Sequence, residues 1–498
     1  MKIILLPFEV ESYAMSHLYK RLTKEGHIVY MMNADTWHFN DYFAQKIFQV
    51  YKELGVEHYY SLKDEYVSLQ QKRKYSVDWE FLVNFENEYC VEKNLQQLIM
   101  TDHVYNCKSR RPYYHNVVSN EQRYYWVERQ IKWIMKNLDD VKPDVIFTLE
   151  RNYFIKNIIW QIAKKRNIRF LTLTVGRIDN RFFMSENFGY GGNSDFAIQL
   201  LDKKNDIIAE EYIESYKKSE AFSTYGFSIT EDLVKNNRLA FFNIFLEMYR
   251  NIKFEFRHFY LHKPLKRIRF PRYMDYVESK AVGYHLRRFF NKCRYTFLRK
   301  VDFTQKLPAR DFVYFPLHLL PESSTLTLSN EYYEEDIIRF VSSKLPINYR
   351  LVIKDNPMMV GDRPYRYYDE LKKLPNVDFI DPLFPSKDIV KKCNAVIGIS
   401  GTALLEAAML GKITYAFGFP EFLDAIEFIG YADADAFVKS LSTNLHRNKL
   451  DYLHAYISYV KTEGIFLDWV ELLYNYNSKK FLDSVNCLYN LLKLKLDE

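Results

Sequence analysis

The chain has 498 residues, is 48% hydrophobic and 27% charged, and carries a net charge of +7. That length suits two domains or three, and the composition excludes a disordered chain. Five scattered cysteines without CxxC spacing (Cys90, Cys107, Cys293, Cys393, Cys487) point to a reducing compartment and away from zinc or a disulfide frame.

Residues 1–8 are apolar but lack the length and basic start of a signal peptide, and read as a first buried strand. No run approaches the roughly 20 apolar residues needed to span a bilayer. A cytoplasmic protein is expected, at most peripheral on the inner membrane face. The strand at 2–7, a helix at 12–25 and a strand at 27–32 open a doubly wound α/β domain. A long helical pattern over 110–137 leads into a buried strand at 143–150, a helix at 152–166 and a strand at 169–174. Glu150 and the Gly176-Arg177 segment fall at carboxyl ends of these strands, the edge where such sheets bind ligands. Glu150 is either a general base or a cap for the next helix. Arg177 and Arg181, around Asp179, either grip a carboxylate or phosphate or pair only with Asp179 and Glu186.

From about 202 to 306 the chain turns helical, aromatic and basic. Its interleaved Phe, Tyr, Arg and Lys suit a polyanionic glycan or anionic lipid, or simply a solvated face over an aromatic core. No motif supports a nucleic-acid partner. A second α/β domain starts at Asp311, with strands at 312–315, 350–354, 377–380, 395–399 and 413–417. Residues 451–494 are helical.

Three loops at this domain's carboxyl edge carry polar groups. One, fixed by Pro316 and Pro321, holds His318 and Glu322. The next holds Lys354-Asp355-Asn356-Pro357 and Gly361-Asp362-Arg363. The third holds Asp381-Pro382 and Pro385-Ser386. The fourth strand runs into Ser400-Gly401-Thr402, and a helix follows at once. Gly401 lets the backbone approach a ligand. Ser400 and Thr402 are expected to cap the helix, whose free N–H groups complete an anion site, with Glu406 one turn on. Four such loops on one edge point to a phosphorylated, nucleotide-linked substrate. Asp433-Ala434-Asp435 imitates a metal-binding DxD but reads as a helix start, and no metal is expected.

The stretch from 312 to about 422 resembles the capsule polysaccharide biosynthesis proteins, the group that includes bacterial Kdo transferases of capsule export systems. The matching elements are Phe315-Pro316-Leu317-His318 with Pro321-Glu322-Ser323-Ser324-Thr325, Lys354-Asp355-Asn356-Pro357, Ile380-Asp381-Pro382, and Ser400-Gly401-Thr402 with Glu406-Ala407. They cover little over a fifth of the chain. The resemblance implies a GT-B fold, two Rossmann-like domains facing across a cleft, to which the residues add a helical basic insert and a C-terminal helical brace.

The run of elements and the change in composition divide the chain into an acceptor domain (1–201), the basic connector (202–310), a nucleotide-sugar-binding domain (311–445) and helices expected to return to the first domain (446–498). The implied activity is metal-independent glycosyl transfer from a nucleotide sugar, CMP-linked in some members, to a glycan or lipid-linked acceptor. The nucleotide sugar is a co-substrate, and no cofactor is expected. Lys354, Asn356, Pro357, Ser400, Gly401, Thr402 and Glu406 would hold the donor. Glu150, Asp179, His318 and Glu322 would serve catalysis, and Arg177 and Arg181 would orient the acceptor. One departure is Asn356-Pro357 where the family commonly has His-Pro. Asn hydrogen-bonds but carries no charge. Two other readings stay open: a nucleotide-sugar epimerase or hydrolase on the same scaffold, or a non-catalytic glycan- or membrane-binding component of a polysaccharide assembly complex.

Overall fold

The computed structural model describes residues 1–8, 11–34, 41–62, 65, 75–91, 93–101, 120–150, 153–186, 194–219, 241–256, 281–319, 328–329, 333–433, 437–439, 441, 447–474 and 478–498. Two sheets form. The first contains β1 (Lys2–Leu5), β2 (Ile28–Asn33), β3 (Tyr59–Ser61), β4 (Val145–Thr148), β5 (Arg169–Val175), β6 (Arg181–Ser185) and β13 (Ile465–Phe466), in the order β13-β6-β5-β4-β1-β2-β3. β3 through β5 run parallel. β6 is antiparallel to β5, and β13 to β6.

The second sheet contains β7 (Phe312–Pro316), β8 (Arg350–Lys354), β9 (Val377–Ile380), β10 (Ala395–Gly398), β11 (Ile413–Ala416) and β12 (Glu427–Phe428). Its order is β12-β11-β10-β7-β8-β9, parallel throughout. Both sheets reverse their winding beside the first strand, between β1 and β4 and between β7 and β10. These are the switch points of two Rossmann-like halves. The chain is α/β with two such domains.

Parallel strands are covered on both faces, so they read as nearly unbroken apolar runs. Successive side chains still divide by face. Ile3, Leu5, Val145 and Phe147 join the core under helices Glu11–Lys24 and Lys479–Asp497, while Ile4, Leu6 and Ile146 join the opposite core with helices Asn120–Val141 and Phe154–Lys165. In the second domain Val313, Phe315, Leu351 and Ile353 face one core. Tyr314, Val352 and Val396 face another that also takes in Ile178, Phe183, Leu200, Ala209 and Tyr456. That second core joins the two domains.

Strand β6 was not legible in the sequence, because the segment following β5 turns back through Gly176–Asn180 instead of entering a helix. Arg177, Asp179 and Asn180 hold left-handed φ values of 55°, 49° and 54°. The sequence helix expected at 110–137 is described from Asn120 and runs to Val141. Helix Arg447–Glu463 packs along helices Ser194–Asp202 and Asp206–Lys218, and β13 extends the first sheet. No helix among the described residues is long and apolar enough to cross a membrane.

Candidate functional site

The second domain's switch point brings together the ends of β7 and β10. His318, just past β7, is buried, and its Nε2 lies 3.4 Å from the Ser400 amide nitrogen, which donates to it. A Cβ on Gly401 would stand 3.1 Å from that same nitrogen. An alanine there would press on the imidazole, which fills the space above the turn. Ser400 is fully buried at the strand end. Gly401 is the N-cap of helix Thr402–Met409 and no side chain caps it. The expected capping by Ser400 and Thr402 is thus corrected. Thr402 is already in the helix, and the first-turn N–H groups are left to other acceptors.

The partner of His318 is Glu334, the first residue of helix Glu334–Lys344. Its carboxylate lies 2.9 Å from Nδ1 and accepts the His318 amide at 2.7 Å. A carboxylate at Nδ1 fixes the tautomer with the proton there, leaving Nε2 as acceptor. Arg363 donates to the other Glu334 oxygen at 3.1 Å, to Asp355 at 3.1 Å and to the His318 carbonyl at 2.9 Å. Tyr368 donates to Asp355, and Arg363 lies over the Tyr367 ring. Burial alone would push the Glu334 carboxyl up, but Arg363 and His318 bring it below its ordinary value. This buried network sets the imidazole in place.

Lys354 ends β8. It is buried, and Asp355, Asp381 and Glu406 act on its ammonium. Burial lowers it to about 8, against the opposing pull of these three carboxylates. Glu406 is buried in helix Thr402–Met409, and it lies near Tyr216 of the connector as well. Burial first, and then Glu406, push the Tyr216 phenol up. Asn356 uses its side-chain oxygen to accept the Met358 amide at 3.0 Å, as N-cap of the short turn Pro357–Met359. Asp381 accepts from Tyr295 at 2.5 Å. Glu322 lies outside the described residues.

In the first domain Glu150 stands at the end of β4, at that domain's switch point. In the same domain the structure shows a pair the sequence reading missed. Glu11 and Lys156 form a buried ion pair at 3.0 Å, and Glu11 also accepts the Phe8 amide at 2.8 Å. Nothing but a helical spacing marks either residue in the sequence.

Arg177 pairs with neither Asp179 nor Glu186. It reaches Glu421, past the end of β11, in a buried ion pair at 3.1 Å. Asp179 instead pairs with Lys461 at 2.7 Å, and Glu186 with Arg169 at 2.5 Å. Arg181 donates to the Gly464 carbonyl at 2.6 Å. Because Arg177 follows β5 and Glu421 follows β11, the carboxyl edges of the two sheets meet at this point. Asp433 accepts the Gly430 amide at 2.9 Å, and residues 434–436 lie outside the described residues. No cluster of three or more His, Cys, Asp or Glu among the described residues could hold a metal ion.

Neither a protein-family model nor a curated protein sequence matches the chain. Similar solved structures include the beta Kdo 2,7 transferase of Thermosulfurimonas dismutans KpsC, 12% identical over 75% of this chain and 90% of that one, TM-score 0.30. The beta Kdo 2,4 transferase of the same KpsC is 13% identical over 70% and 87%, TM-score 0.30. The UDP-GlcNAc 2-epimerase from Neisseria meningitidis, bound to UDP-GlcNAc, is 12% identical over 92% and 97%, TM-score 0.24. These TM-scores are too low for the likenesses to bear on activity.

Proposed function

We propose that the chain is a glycosyltransferase of surface-polysaccharide synthesis. It would take a nucleotide-activated sugar in the second domain and transfer it to a glycan or lipid-linked acceptor on the first. One observation carries the reading: the buried Lys354 lies on the same sheet edge as a helix N-terminus whose N-cap, Gly401, offers no side-chain cap. A desolvated cation and free N–H groups on one edge suit a phosphate.

In this reading Lys354 and the amides after Gly401 hold the donor phosphate and steady the charge on the departing nucleotide. That charge is met by protein groups, so no metal ion is called for. Glu406, between Lys354 and Tyr216, accepts a donor hydroxyl. Asn356 offers its amide N–H to base or phosphate. His318, locked by Glu334, presents Nε2 to the donor beside Ser400. Glu150, on the other domain, takes the proton from the acceptor hydroxyl. Arg177 acts at the joint between domains and Arg181 beside β13 of the first sheet, because protein groups hold both side chains.

The test is a thermal-shift screen against CMP, UDP, GDP and their sugar conjugates, beside a Lys354→Met variant. A midpoint raised by one nucleotide, and less raised in the variant, supports the reading. No shift with any nucleotide at millimolar concentration overturns it. Incubating the donor with and without acceptor then separates transfer from epimerisation or hydrolysis, which need no acceptor.

A further inference from the structure

Helices Phe241–Phe256 and Ala281–Asp302 form an antiparallel pair beside the second domain, and their outer face exposes several large apolar side chains. The inner face is held tightly. Tyr295 donates to Asp381 at 2.5 Å, and Asn291 donates to the Gly361 carbonyl at 3.1 Å. Arg288 pairs with Asp362 and with Glu247, and Lys292 with Glu247 at 2.6 Å. A Cβ on Gly361, whose φ is +93°, would stand 2.6 Å from the Lys292 side chain.

The outer face is different. Phe242 is 68% exposed, Phe290 64%, Phe297 69% and Val301 82%. At about 100° per residue, Leu286, Phe290, Phe297 and Val301 fall within roughly 60° of one another, opposite Arg288, Lys292 and Tyr295. The stripe crosses to the other helix, where Phe241 touches Phe297 at 6.2 Å and Phe289 at 6.1 Å between ring centres. Arg287 and Lys300, both exposed, flank the stripe on its two sides. From 241 to 302 the sequence has 15 Lys and Arg against 5 Asp and Glu, a net +10 in a chain whose total is +7. The rest of the chain is therefore net −3.

We infer that this face of the helix pair docks on an anionic lipid bilayer, with the Phe and Val side chains in the headgroup–acyl boundary and the flanking cations at the headgroups. Amphipathic helices with aromatics on one face and Lys or Arg beside it bind such surfaces. A second copy of the chain would bring like charge onto like charge. Single-stranded nucleic acid stacks on aromatic rings but gains little from Val301, Leu286 and Leu298. The inner face ties the pair to Asp381 and Gly361, so docking would hold the second domain at the membrane.

The experiment is flotation of the full chain with phosphatidylcholine vesicles and with phosphatidylcholine–phosphatidylglycerol vesicles. Binding only to the anionic vesicles, weakened by salt, is expected. Phe290→Ser/Phe297→Ser and Arg287→Glu/Lys300→Glu should each weaken it more than about tenfold at an unchanged melting midpoint. If the serine variant fails to fold, Phe297→Trp gives a second readout, since its emission should move to shorter wavelength on anionic vesicles alone. Absence of wild-type binding, or binding untouched by both variants, overturns the inference. So does self-association, or RNA binding, that depends on the same phenylalanines in place of vesicle binding. Lys354→Met should leave vesicle binding intact, so failure of the donor-site reading and failure of this one are told apart.

Discussion

Arg177 and Glu421, 244 residues apart in sequence, form a buried ion pair at 3.1 Å that joins the carboxyl edges of the two sheets. Arg177 adopts a left-handed backbone to reach it, and lies near the Phe422 ring as well. Removing one partner leaves the other charge buried. Arg177→Ala should therefore cost about 3–5 kcal/mol, whereas the double change Arg177→Met/Glu421→Leu should cost much less. Chemical denaturation of the two variants checks this. An equal loss in both would show that the pair is not held as described.

Gly401→Ala should separate stability from turnover. Its backbone φ of −71° accepts alanine, so the melting midpoint should hardly move. The new Cβ, 3.1 Å from His318 Nε2, displaces the imidazole by a few tenths of an ångström. Turnover should fall by about 10- to 100-fold. Unchanged turnover would mean that His318 has no part in it.

Lys354 sets a pH window. Its folded-state value of about 8 lies under the ordinary 10.5, so between these values the unfolded chain binds more protons. Its contribution to stability therefore rises as pH rises through that window. A bound phosphate favours the charged form. Nucleotide affinity should be level below pH 8 and fall toward tenfold per unit above it. Isothermal titration against pH reads this directly, and Lys354→Met should bind weakly at every pH without the bend.

Glu334→Gln tests whether the buried carboxylate matters for more than folding. The group is depressed in the folded state, so its stabilisation is present above the ordinary 4.5 and lost as pH falls through the lowered value. The amide still accepts the His318 amide proton but no longer fixes the ring tautomer by charge. Stability should drop by about 3 kcal/mol. In the fraction that stays folded, the pH profile of turnover should move, as a purely structural role would not require.

Glu150→Gln should lower kcat by about 10²–10⁴-fold while leaving nucleotide binding alone, because a base for the acceptor lies on the first domain. A variant that loses nucleotide affinity along with turnover would place Glu150 at the donor.

The alternation of strand and helix was legible because it is local. The buried runs at 312–315 and 395–398 carry their own period, and the Ser400-Gly401-Thr402 turn carries its own glycine. Antiparallel β6 was not, since a strand–turn–strand and a strand–turn–helix begin alike until the turn's left-handed residues are seen.

By itself the sequence determined two parallel α/β halves and an edge loaded with His318, Lys354 and Ser400-Gly401-Thr402, because a strand's end and the glycine after it are set by neighbouring residues. Only the tertiary structure decided which charges meet. Glu334 reads as a first-turn acid like Glu335, yet it is the one buried against His318 and Arg363. Glu11 finds Lys156 across 145 residues, and Arg177 finds Glu421 across 244. Ion pairs form by approach in space, and burial holds them in place, so neither spacing nor composition can name the partner.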